Sequence, residues 1–143
     1  MDSRDEKKVD EQALSVLFQQ MIDGWNQGNG QAFAAPFTED ADYVIIDGMQ
    51  IKGRETIAFG HQYIFDSVFQ GSKMEGQVKS IRFLRPDIAL LHAENVLRIP
   101  GQGGVVSEQP ATLTIVAIRE TSGWGFTAFQ NTRIEERSQP RRV

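Results

Sequence analysis

The sequence predicts one small α+β domain: helical segments come first, then a run of antiparallel strands that curls around a pocket. Three observations carry this. Apolar residues recur at helical spacing in just two long stretches, one starting at Asp10 and one running from Arg54 to Phe69. From Met74 onward the segments are rich in β-branched and aromatic residues and are separated by short Gly, Pro and Asp turns. The chain has 143 residues, 40% of them hydrophobic and 24% charged, which suits one domain around one core.

In the first helix, Leu14, Leu17, Phe18, Met21, Ile22 and Trp25 form a single apolar stripe. Gly28, Asn29 and Gly30 then supply the stop. A second, short helical piece, Gln31 to Pro36, is expected to turn Phe33 and Phe37 inward, followed by a turn at Thr38–Asp40. Asp42 to Asp47 reads as a strand, with Asp47-Gly48 as a hairpin signal and Met49 to Ile51 as the short return. The third helix, Arg54 to Phe69, places Ile57, His61, Ile64, Phe65 and Val68 on one face. Four long strands complete the chain: Met74–Leu84, Ile88–Ile99, Pro110–Glu120 and Trp124–Ile134. Tight turns join them, so they form an antiparallel meander. Residues 1–9 and 136–143 lack apolar periodicity and are expected to be flexible tails around a 10–135 domain.

Composition narrows the function classes. With no cysteine, disulfides, thiolate chemistry and cysteine-ligated metals are excluded. A net charge of −4 argues against nucleic-acid binding, and the basic trio Arg137, Arg141 and Arg142 sits in the polar C-terminal segment. No apolar run approaches the roughly 18–20 residues that a membrane helix needs. The charged opening MDSRDEKKVDEQ lacks the apolar core of a secretory signal, so a cytoplasmic protein is expected. The two histidines, thirty-one residues apart, make a poor metal set. The Gly101–Gly104 run joins two strands rather than opening a helix, so it cannot cradle a phosphate. Neither a metal nor a cofactor is expected.

The order helix, short helix, strand, helix, four-strand meander resembles the nuclear-transport-factor-2-like fold, in the branch of the SnoaL-like cyclases and ketosteroid isomerases. The stretches Gly53–Asp66, Gly71–Met74, Arg85–Asn95 and Gly123–Arg133 are similar to small proteins encoded beside enediyne antibiotic synthesis genes, a group labelled as oxidoreductases. The resemblance implies a cone: a curved antiparallel sheet wrapped around the N-terminal helices, open at its wide end onto an apolar cavity. It also implies homodimers formed through the outer sheet face. Set against the ketosteroid isomerases, Ile45 falls where their proton-moving aspartate stands, with Asp47 two residues on. Met21 falls near their oxyanion-hole tyrosine.

His61 lies on the apolar face of its helix, where it must either bond a backbone carbonyl or face a cavity. In the second case it serves as general base or hydrogen-bond donor. Asp47 is either a carboxylate at the pocket or the first residue of an Asp-Gly turn. On the Ile88–Ile99 strand, alternation turns Leu91, Ala93, Asn95 and Leu97 inward and leaves His92 and Glu94 outside. On the last strand Trp124, Phe126, Ala128 and Gln130 share one face, and Thr127, Phe129 and Asn131 share the other. The expected site therefore has His61, Asp47 and Asn131 as its polar groups. Trp25, Tyr43, Phe65, Asn95 and Phe129 act as its ligand-facing walls. The expected activity is binding of a small apolar or polycyclic molecule, with cofactor-free proton transfer of the isomerase or cyclase kind. The rival is a non-catalytic binding or dimeric assembly module with a filled core.

Overall fold

A computed structural model describes residues 3–135. Three α-helices, α1 (Ser3–Asn26), α2 (Gly30–Ala34) and α3 (Arg54–Phe65), pack on one six-stranded sheet. The strands are β1 (Phe37–Val44), β2 (Gln50–Lys52), β3 (Lys73–Arg85), β4 (Ile88–Pro100), β5 (Val106–Glu120) and β6 (Gly123–Arg133), in the spatial order β2-β1-β6-β5-β4-β3. The expected antiparallel meander β3–β6 is present, and β1 extends it by pairing parallel to β6. The sheet is therefore mixed rather than purely antiparallel. The core lies between its inner face and the helices, and includes Leu14, Met21, Phe33, Phe37, Ile57, Leu91, Leu113, Ile115 and Phe126.

Helix α1 starts at Ser3, well before Asp10. Residues 3–9 are all exposed, so they bury nothing that apolar periodicity could have recorded. Asp10 anchors this half of the helix: it accepts from Arg119 Nη1 at 3.0 Å and from Trp124 Nε1 at 3.1 Å. The expected C-terminal tail, 136–143, lies outside the described residues. At the other end of α1, Gly24 lets α2 approach closely. A Cβ at Gly24 would stand 2.6 Å from Phe33 Cα and overlap the Phe33 amide, so only glycine fits.

Two boundaries differ for physical reasons. Thr38–Asp40 is strand, not turn, with a register shift between Phe37 and Asp42 that disguises the alternation. Helix α3 ends at Phe65 rather than Phe69. The amide of Phe69 folds back to Ile64 O at 2.8 Å, which leaves Val68 exposed and turns the Phe69 side chain toward the helices.

The last strand departs from simple alternation. Ala117 pairs with Phe126 and Val116 with Ala128, so Thr127 is an extra, bulged residue. The bulge puts Phe126 and Phe129 both in the core, although the sequence reading placed them on opposite faces. Gln130 is exposed on the outer face, and Asn131 points inward.

Candidate functional site

Between the helices and the far end of the sheet is a cavity of about 530 Å³. That size accommodates a drug-sized ligand. Its walls include Met21 and Trp25 from α1, Phe33 from α2, Tyr43 and Ile45 at the end of β1, and His61 and Ile64 from α3. Asn95 and Leu97 (β4), Ala111 (β5), and Phe129 and Asn131 (β6) close the other side. Ile46, Asp47, Met49 and Tyr63 form an exposed rim.

Alternation explains the sheet side. Asn95 pairs with Ala111 and Leu113 with Asn131, so the amides occupy adjacent inward rungs at the open end. Leu91, Ala93, Asn95 and Leu97 are buried, while His92 and Glu94 are exposed. Tyr43 and Phe129 are direct partners across the parallel pair, and their rings stack 4.6 Å apart with a 10° interplanar angle.

Helix α3 supplies His61 and fixes it. Its Nδ1 lies 2.7 Å from Ile57 O, one turn back on the same helix. A carbonyl oxygen only accepts, so Nδ1 carries the proton. Nε2 lies 3.3 Å from the Tyr43 hydroxyl. Phe33 stacks on the imidazole at 4.1 Å, and Trp25, Tyr43 and Phe65 approach as further ring neighbours. Burial among these rings lowers the His61 pKa from its ordinary 6.5 to about 4, against the smaller opposing pull of the Ile57 bond. The ring is therefore neutral near pH 7. Burial likewise raises Tyr43 well above its ordinary value, and a hydrogen bond from the Asn131 side chain opposes this in part. The phenol stays protonated.

Asn131 Oδ1 is buried without a hydrogen-bond partner among the described residues. Asn95 turns its Nδ2 to Met74 Sδ at 3.5 Å, a weak contact. Trp25 is saturated, since its Nε1 donates to Ser72 Oγ at 3.0 Å. Asp47 sits on the rim, where its Oδ1 accepts from Met49 N at 2.9 Å as an Asp-Gly turn requires.

The structure thus brings His61, Tyr43, Asn95, Asn131, Trp25, Phe129 and Asp47 onto one cavity, with Asp47 at its edge. Phe65 is not on the wall. It lies behind Trp25, ring centroids 4.8 Å apart, because α3 turns it toward the helix interface. Met21 and Ile45, the two positions set against the isomerases' tyrosine and aspartate, do line the cavity but bring only apolar surface. Gln109 and Phe69 line it without having been expected. Gln109 has the parity of Ala111 and Leu113, and extending that alternation two residues back finds it. Phe69 arrives through the turn after α3, which no periodicity marks. Among the described residues, no three His, Asp or Glu side chains gather as a metal site would require. No helix of the described residues is long and apolar enough to cross a membrane.

No family model and no curated protein matches the chain. Solved structures do. A domain of unknown function with a cystatin-like fold from Nostoc punctiforme is 37% identical, with a TM-score of 0.83 over 90% of this chain and 79% of that one. An NTF2-like protein with a cystatin-like fold from Novosphingobium aromaticivorans superposes with a TM-score of 0.80 at 15% identity, over 95% of this chain and 89% of that one.

The chain belongs with the Nostoc domain among the cystatin-like proteins, and it has the fold of the nuclear-transport-factor-2-like proteins.

A ketosteroid isomerase-like protein from Erwinia carotovora atroseptica shares this fold, with a TM-score of 0.71 at 14% identity over 85% of this chain and 93% of that one. At that identity the likeness speaks to the fold alone. Within this cavity the polar groups are those of the present sequence: the His61 imidazole, the Tyr43 phenol and the amides of Asn95, Gln109 and Asn131 in an apolar wall, with Tyr63 and Asp47 at the rim.

Proposed function

We propose that this protein binds a small, uncharged, apolar or polycyclic molecule inside the cone. The observation that carries this reading is the cavity itself. Its wall is mainly aromatic and aliphatic, has a few convergent polar groups, and contains no Lys or Arg among the described residues. Its one carboxylate among the described residues, Asp47, stands at the exposed rim. An anionic ligand would lose its hydration inside without gaining a cation, a cost far above what the ring contacts return.

A neutral probe, N-phenyl-1-naphthylamine, is expected to bind with a rise in fluorescence. Its sulfonated analogue, 1-anilinonaphthalene-8-sulfonate, should bind at least tenfold more weakly. Ala111→Phe places a ring in the cavity from an inner-face position of β5 and should lower probe affinity about tenfold or more while the melting temperature moves by only a few degrees. Equal affinity of the filled variant and wild type would place the probe elsewhere and sink the reading.

Cofactor-free proton transfer is the second reading, and Asp47 favours it, because it is the only carboxylate at the cavity among the described residues. His61 serves that chemistry poorly as a base near neutrality, since both ring nitrogens are already engaged and the ring gains a proton only near pH 4. Its place in the proposal is to orient Tyr43.

A second copy of the chain is proposed as partner through the outer sheet face. There Ile88 pairs with Ile118 and Leu90 with Val116, four half-buried apolar residues in one patch. Sedimentation at micromolar concentration should give twice the 16.0 kDa chain mass. A single monomeric species under those conditions would remove this partner.

A further inference from the structure

The binding proposal leaves the polarity of the ligand open, and the hydrogen bonds of the cavity wall constrain it. The constraint starts at a backbone carbonyl. Ile57 O can only accept, so His61 Nδ1 donates to it over 2.7 Å. A neutral imidazole then has a bare Nε2. The Tyr43 hydroxyl, 3.3 Å away, must donate to it. A phenol has one proton, so Tyr43 has only lone pairs left for anything else.

The same logic passes on to Asn131. Asn131 stands on the same wall, and its side chain opposes the rise of the Tyr43 pKa, as an amide N–H facing the phenol oxygen does. An oxygen whose one proton is committed to His61 favours the amide nitrogen on its side, which leaves Oδ1 as the unused end. Oδ1 is indeed the one buried side-chain atom without a partner among the described residues. Asn95 repeats the pattern: its Nδ2 turns to Met74 Sδ, leaving its carbonyl end uncommitted. An unsatisfied buried acceptor is costly, and a donor that reaches it recovers that cost.

We infer that this wall is an acceptor surface, set by the His61–Ile57 bond and passed through Tyr43 to Asn131, and that the pocket selects an uncharged ring compound bearing an N–H or O–H donor. The inference rests on the binding proposal above and adds the sign of the recognition. It makes Tyr43 and Asn131 specificity-determining residues and His61 a positioning residue that acts through Tyr43.

Three flat tricyclic compounds of nearly equal shape separate the cases: carbazole offers an N–H donor, fluorene offers neither donor nor acceptor, and 9-fluorenone offers a carbonyl acceptor. Each competes with N-phenyl-1-naphthylamine on the full chain, and displacement is read by fluorescence. Carbazole should displace the probe at about fivefold to tenfold lower concentration than fluorene, the ratio that one neutral hydrogen bond supplies, and fluorenone should do no better than fluorene. Tyr43→Phe should shrink the carbazole advantage and leave fluorene unchanged. Asn131→Leu makes the same test should the first variant fail to fold. Equal displacement by all three, or fluorenone as the best competitor, with the probe still bound, overturns the acceptor surface and leaves the pocket standing. Failure of the probe itself to bind overturns both.

Discussion

Phe33→Ala is expected to lower stability by about 3–5 kcal/mol, the cost of emptying a core site of a large aromatic ring. Phe33 is 1% exposed and sits where the three helices and β1 meet. Its ring stacks on His61 at 4.1 Å and meets Trp25 at 5.8 Å, Phe37 at 6.0 Å and Tyr43 at 6.4 Å. Helix α2, which carries it, has five residues, and its first amides donate to the side chains of Asn29 and, from α3, Gln62. A helix that short has no stability of its own and persists only through its tertiary contacts. Collapse around the gap is restricted, because Gly24 already holds the α2 backbone against α1 with no space to spare. Chemical denaturation of wild type and variant measures the difference. A loss below about 1 kcal/mol would show that the aromatic cluster repacks freely and that Phe33 is not its keystone.

The sequence made some of this legible and hid the rest, each for a physical reason. Strands β4 and β5 were readable because one face meets the core and the other meets solvent, which writes strict alternation into Leu91, Ala93, Asn95 and Leu97. The inward placement of Asn95 followed from that parity alone. Helix α3 was readable through Ile57, His61 and Phe65, all buried. The start of α1 was not, because its first seven residues are exposed and leave no apolar trace. Bulges at Thr127 and between Phe37 and Asp42 shifted parity in the two strands that carry Tyr43, Phe129 and Asn131. A one-residue insertion reverses every face after it, and composition does not mark where it falls.

Part of the site's chemistry was visible from residue types and part was not. A histidine on an apolar helix face demanded a partner, and two alternatives were open: a satisfied core histidine, or a cavity residue. The structure combines them, since His61 bonds a backbone carbonyl with one nitrogen and, on the cavity wall, meets Tyr43 with the other. Tyr43 and Asn131 come from strands far apart in the sequence, Phe37–Val44 and Gly123–Arg133, which face each other only because β1 pairs parallel to β6. Local pattern carries no record of such a crossover pairing.

The neutrality of His61 leads to a pH dependence whose sign can be worked out. In the unfolded chain a histidine titrates at its ordinary 6.5, whereas in the fold this one titrates at about 4. Between those values the unfolded state binds the proton and the folded state does not. Stability from this group is therefore fully present above pH 6.5, falls as the pH drops through the window, and stops falling below about 4. The full window from 6.5 to about 4 corresponds to about 3 kcal/mol, of which about 2 kcal/mol should be lost by pH 5. The rings packed around the imidazole, Phe33, Trp25, Tyr43 and Phe65, carry no charge that would compensate protonation. Carboxylates titrate mainly below pH 5, so the interval from pH 7.5 to 5 isolates the histidine. Denaturation curves across that interval, on wild type and on His61→Phe, make the comparison. The variant should be less stable at pH 7.5, having left the Tyr43 hydroxyl without its acceptor, but its stability should fall much less steeply toward pH 5. Parallel curves for the two proteins would show that His61 titrates alike in both states, which would mean that water reaches the ring and that its hydrogen bonds to Tyr43 and Ile57 do not hold it neutral.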